Sequence, residues 1–129
     1  MKDKFILDSS IWIAVERKKQ TVCDRVLPLI AKNQVCLVDL IAAEVLRGGR
    51  TARDFDRLRE TFLNFRILKT SWLRVATLAF QVAKQGFQPP LADLYIAQCT
   101  IEGRRTLITQ DKDFQSIAKA HPFVLELIA

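Results

Sequence analysis

Four acidic residues stand beside or inside apolar runs: FIL-Asp8, LIAA-Glu44-VL, PPLA-Asp93-LYIA and LITQ-Asp111. A carboxylate at a buried surface carries a free-energy penalty unless something compensates it. Gathered within a few ångströms, carboxylates also repel, and some take up protons when no counter-charge is near. One shared divalent cation answers both difficulties. Mg²⁺ and Mn²⁺ prefer oxygen ligands, and Mg²⁺ usually keeps several waters. Such an ion lowers the pKa of a water it binds and stabilises charge building on a phosphate. A neighbouring carboxylate can orient that water or take its proton. The chemistry implied is metal-dependent phosphodiester hydrolysis.

Taken singly, each acid has a plainer reading. Asp8 suits a helix cap, and Asp111 suits a turn, because Gln-Asp-Lys-Asp is good turn chemistry. Asp93 in a first helical turn is favoured by the helix dipole. Glu44 could lie at the margin of a buried stripe and reach water. Yet Glu44 shares a helix face with Leu40 and Ile41, and Asp93 shares one with Ile96 and Ala97. Those faces belong against a sheet. It is the set of four that points to a common ion.

The elements that must position them follow from patterning. Residues 4–7, 35–38 and 106–109 read as short buried strands, with weaker strands at 65–68 and 123–127. Helices are expected from Ser9 and Ser10 through 15, then over 21–32, 39–47, 53–64, 71–85, 91–102 and 112–119. Asp39 and Ser71 are expected as caps; Gly48, Gly86 and Gly103 are expected as stops. Alternating strands and helices predict an α/β fold, a three-layer α/β/α sandwich with a central, mostly parallel sheet. In such sheets, sites form beyond the carboxyl ends of the strands. Asp8 and Asp111 follow strands directly. Strand order decides whether the four acids meet, and sequence leaves it open.

The chain has 129 residues, enough for one domain spanning 1–129. No apolar run nears the ~20 residues of a membrane span, and MKDKFILD does not read as a signal peptide. Three cysteines with no metal-ligand spacing suggest reduced thiols in a cytoplasmic protein. Without a Cys or His cluster, zinc is disfavoured. His121 reads as a surface residue. The net charge of +6 suits a polyanion such as nucleic acid, though many basic proteins bind none. Arg47 and Arg50, nearest Glu44, are candidates for holding its phosphates. Arginines 53–59 alternate with acids and read as a solvated face. Gly48-Gly49 lacks the Lys-Ser/Thr of a phosphate-binding loop. Trp12, Trp72, Phe80 and Phe87 read as core or interface anchors, and Trp12 could also line a groove beside Asp8.

FILDSSIWI resembles the opening of PIN-domain nucleases, in which a strand ends in Asp followed by Ser or Thr. VDLIAAEVLRG resembles their second motif, and LADLYIAQCTIEGRRTLITQDKDF the third and fourth together. The compact length resembles a VapC-type toxin of a toxin–antitoxin pair. The resemblance spans residues 4 to 114, and its specificity lies in four motifs in order. Asp39 stands where relatives often carry Ser or Thr. The resemblance implies an endoribonuclease using Mg²⁺ or Mn²⁺. Asp8, Glu44, Asp93 and Asp111 would form the acidic site, with Ser9 and Thr109 as polar helpers. It also implies a homodimer and a cognate antitoxin that places a basic side chain among the acids.

Other functions are weighed beside it. A Mg-dependent phosphatase of the haloacid-dehalogenase type wants Asp-x-Asp-x-Thr, and this chain has Asp8-Ser-Ser-Ile-Trp. A receiver-like signalling domain wants a strand-borne Lys, which is absent. A non-catalytic α/β module that binds RNA or a partner protein is the remaining alternative.

Overall fold

The three apolar tetrads and triads build the middle of the sheet. β1 (Phe5–Leu7), β2 (Val35–Val38) and β4 (Thr106–Thr109) are buried almost throughout, because helices cover both faces. A computed structural model describes residues 2–129. β3 is only Ile67–Leu68, and β5 is Val124–Leu127. All neighbouring strands pair parallel, in the order β3-β2-β1-β4-β5. The chain steps outward from β1 to β3, then returns to the other side of β1. The β1–β4 boundary is therefore the topological switch point.

Seven helices connect the strands among the described residues: α1 (Ser9–Glu16), α2 (Gln20–Ala31), α3 (Asp39–Arg47), α4 (Ala52–Phe62), α5 (Trp72–Lys84), α6 (Leu91–Gly103) and α7 (Phe114–Ala120). Right-handed crossovers put helices before β3 on one face and those after it on the other. The contacts agree: α1 packs on α2 and α3, α3 on α4, and α5 on α6 and α7. α3 also meets α6, across the end of the sheet. The predicted α/β/α sandwich is the observed one, with a sheet that is wholly parallel.

Local chemistry explains most boundaries. Ser71 Oγ accepts from Arg74 N at 3.2 Å and caps α5, as expected. Thr51 does the same for α4 through Asp54 N at 3.1 Å, which starts that helix one residue earlier than predicted. Gly86 ends α5 with φ +91°, a conformation that favours glycine. Three expectations need correction. The left-handed residue after α6 is Arg104 (φ 54°), not Gly103, which stays helical. Asp39 is the first residue of α3, and its N-cap is Val38. α7 begins at Phe114, two residues later than predicted, because Asp111 and Asp113 form a turn first.

Trp12 lies in the core with edge-to-face contacts to Phe62 and Phe65 at 5.1 and 5.7 Å, so it does not line a groove. Trp72, Phe80 and Phe87 are exposed. Cys36 and Cys99 are buried and Cys23 half-buried, all as free thiols. Burial pushes the Cys36 thiol up to about 11 and the Cys99 thiol to about 12, so both stay protonated and unreactive at neutral pH. His121 is half-buried, its Nδ1 buried without a partner among the described residues.

Candidate active site

β1 ends and Asp8 begins. Its backbone N–H still donates to Ile108 O at 3.0 Å, which pins it beside β4. Its carbonyl then accepts from Ile11 and Trp12 and starts α1. The side chain does not cap that helix. It points instead at the switch point and is 5% exposed. Thr109 Oγ1 donates to Asp8 Oδ2 at 2.7 Å, and Ser10 Oγ donates to the same oxygen at 3.2 Å. The two hydroxyls also look the other way: Thr109 accepts from Asp111 N at 3.0 Å, and Ser10 from Gln110 N at 3.2 Å. Each hydroxyl thus ties the exit of β1 to the exit of β4. Burial pushes the Asp8 carboxyl above its ordinary range, against the lowering effect of Thr109, the Ser9 N–H and Ser10.

Asp111 sits two residues past β4, half-buried, with Oδ1 accepting from Asp113 N at 2.9 Å. Glu44 comes from the second turn of α3. Its burial comes first, then the charge of Asp8, in raising its pKa, while Arg47 opposes them. One of its oxygens, Oε1, is buried without any donor. Asp93 comes from the first turn of α6, and α6 runs antiparallel to the strands, so that turn lies at their carboxyl end. Burial, then the charges of Asp111, Asp8, Asp113 and Glu44, push Asp93 up to about 6. Every influence on it is in the raising direction.

The four sequence-selected acids therefore feel one another at the carboxyl end of the sheet. Thr109 bonds two of them, Asp8 through its carboxylate and Asp111 through its backbone N–H. Ser9, expected as a polar helper beside Thr109, contributes only its backbone N–H; the serine hydroxyl on Asp8 is that of Ser10. Arg50 and Glu44 both line a groove of about 540 Å³ between α1, α3 and α4. Arg47 is exposed on α3, near enough to Glu44 to act on its charge but outside that groove's wall.

The set suits a hard cation. All donors are carboxylate oxygens, one of them orphaned, and no cation of the protein stands among them except the more distant Arg47. The arrangement is loose: among the described residues, no three His, Cys, Asp or Glu side chains form a ready-made ion-holding group. An ion that keeps several of its waters matches such an open cup.

Fold and acids together define an α/β/α domain whose polar chemistry is concentrated at one sheet end. The sequence profile described as PIN domain matches residues 5–120, and the chain belongs to that family. Solved structures of similar fold include VapBC2 from Rickettsia felis bound to a promoter DNA fragment. It has a TM-score of 0.77 and 19% identity, over 97% of this chain and 98% of that one. VapBC-1 from nontypeable Haemophilus influenzae gives 0.75 and 20%, over 95% and 96%. VapBC-5 from Mycobacterium tuberculosis, a member of a family of toxin–antitoxin systems, gives 0.67 and 21%, over 97% and 99%. At such identities the likeness speaks for the fold. No curated protein sequence is significantly similar to this chain.

Proposed function

We propose that this chain, as one domain over 1–129, is a Mg²⁺- or Mn²⁺-dependent endoribonuclease and the toxin of a VapC-type toxin–antitoxin pair. The observation that carries the reading is Asp93, driven to about 6 by burial and by the other site acids in a PIN domain. The buried, donor-free Glu44 Oε1 and the hydroxyl-bound Asp8 beside it support a site that takes an external positive charge.

When bound, the ion supplies a water of lowered pKa and a counter-charge for the phosphate. The protein's residues supply placement. Thr109 and Ser10 hold Asp8 in one orientation, and Thr109 fixes the backbone of Asp111 against it. Glu44 keeps an oxygen free of protein donors and faces the groove that Arg50 lines. RNA phosphates would lie along that groove, with Arg47 and Arg50 giving sequence-blind attraction. Without an ion Asp93 takes up a proton near pH 6, and a bound cation would displace that proton.

A cognate antitoxin is inferred from the VapBC neighbours, and a basic side chain from it would meet the acids. Co-purification of the two proteins tests this. For the homodimer we propose a contact through one flank of α5. At 3.6 residues per turn, exposed Leu73, Ala76 and Phe80 share that flank, away from core-facing Val75, Leu78 and Val82. Lys84 borders that flank, its Nζ 4.7 Å from the centroid of the Phe80 ring, so the apolar contact would centre on Leu73 and Ala76. Sedimentation as a monomer would remove this part. No helix among the described residues is long and apolar enough to cross a membrane, and a cytoplasmic location fits the free thiols.

The test uses total RNA, with Mg²⁺ or Mn²⁺ and then EDTA, beside Asp8→Asn. Cleavage that chelation and the variant both abolish is expected. Equal cleavage by the variant, or hydrolysis of p-nitrophenyl phosphate with RNA untouched, overturns the reading.

A further inference from the structure

We propose that Tyr95 is a positioning residue that sets Glu44 against Asp93 by tying α6 to the first turn of α3. The inference rests on reading the four acids as an ion-holding set. Tyr95 lies two residues past Asp93 and is 5% exposed. Its hydroxyl donates to Asp39 Oδ1 at 2.8 Å and accepts from Thr70 N at 3.2 Å. Asp39 Oδ1 also accepts from its own neighbour, Leu40 N, at 2.8 Å. The Trp72 ring lies against the Tyr95 ring with centroids 4.8 Å apart. One phenolic oxygen therefore joins the start of α3, the exit of β3 and α6.

This junction has a geometric reason. Asp8 and Asp111 are fixed by strand ends and by the shared Thr109 hydroxyl. Glu44 and Asp93 come from helices in opposite layers, and no strand pairing sets their separation. Among the described residues, Tyr95 to Asp39 is the side-chain hydrogen bond that links those two helices. Glu44 stands five residues beyond Asp39, about 7.5 Å along the helix axis. A swing of roughly 10° about the tie would move it by about 1.3 Å at that lever arm. Ion–ligand distances tolerate only about 0.2 Å. The tie therefore controls a quantity to which ion binding is sensitive, while contributing only as much as any buried hydrogen bond to stability.

The experiment is calorimetric titration of Mn²⁺ into the full chain, at a temperature where circular dichroism shows each variant folded. Wild type, Tyr95→Phe, Asp39→Ala and the double variant are compared. Each single change should weaken Mn²⁺ binding about 10-fold, the usual scale for a group that orients a ligand. The double variant should be no weaker than either, because both remove the same bond. Asp39→Asn, which keeps the acceptor oxygen, should bind nearly as wild type. Unchanged affinity in both single variants, or additive losses in the double, overturns the proposal. If Tyr95→Phe does not fold, the contrast between Asp39→Asn and Asp39→Ala decides it. A wild type that takes up no Mn²⁺ is a separate result: it removes the acid-site reading, and this proposal with it.

Discussion

At the amino end of the sheet, Asp3 accepts from Arg66 Nε at 2.8 Å and from Arg105 Nη2 at 3.0 Å. Burial pushes its carboxyl up, but the two guanidinium hydrogen bonds outweigh that and leave it below its ordinary range. At the carboxyl end, Asp8 has hydroxyls for donors and Asp93 has only other acids for company. Burial raises both. The same side chain is thus treated oppositely at the two ends of one sheet, and basic residues are not scarce in a protein of net charge +6. The amino end is neutralised from within. The carboxyl end is not, and on the proposed function it is left for an external cation, which is how a stable scaffold carries a locally unfavourable site.

The sharpest way to break this contrast is to neutralise Asp93. Asp93→Asn should lower RNA cleavage by about 100-fold or more, the scale of a positioned acid–base group. The ion-free protein should melt higher than wild type, because a repelling charge is gone. Cleavage assays and thermal denaturation in EDTA check the two halves. A variant that melts lower would mean that Asp93 is held as Asp3 is, by favourable contacts.

Asp3→Asn should show the reverse pairing. It weakens two charge-assisted hydrogen bonds and leaves Arg105, with a side chain only 10% exposed, short of its counter-charge. A loss of about 2 kcal/mol in stability is expected. Cleavage per folded molecule should stay at the wild-type rate. Denaturant titration and the RNA assay measure these, and a matching loss of cleavage would mean the two ends are coupled.

How far the sequence carries these contrasts depends on range. FIL, VCLV and TLIT are apolar without interruption, so their burial is a local property and legible. The acids stand out for the same reason, as charges in apolar text. Strand order was not legible, because β1 pairs with residues thirty and a hundred positions away. Ser10 was hidden beside Ser9: only the turn from β1 into α1 decides which hydroxyl faces Asp8. Tyr95 was hidden in an apolar helix, where an aromatic ring reads as core and its hydroxyl goes unweighed. Asp39 read as a cap because nothing nearby in sequence announces a tyrosine in the opposite layer. The partnerships that place the site are long-range, whereas the residues that constitute it are marked locally.

The smallest expected effect is on the pH dependence of stability, where the two ends should pull in opposite directions. Asp93 titrates at about 6 when folded, against 3.8 as its ordinary value. Between about pH 4 and about pH 6 the native state therefore binds more protons than the unfolded state. Stability from this group is full below that window and is lost as pH rises through it. Asp8 and Glu44 are raised too and act in the same sense. Asp3, Glu102 and Glu126 are lowered by arginine partners and act in the opposite sense, losing their contribution as pH falls. The wild-type curve alone sums these, so the informative quantity is a difference. In EDTA, wild type should lose stability relative to Asp93→Asn as pH rises from about 4 to about 6, and then run parallel to it. Saturating Mn²⁺ should reverse the trend for wild type, because the ion competes with the protons and binds the folded state. Melting curves of both proteins across that window measure it. Parallel curves throughout would show that Asp93 is not pressed by its neighbours, and the contrast between the two ends would lose its electrostatic basis.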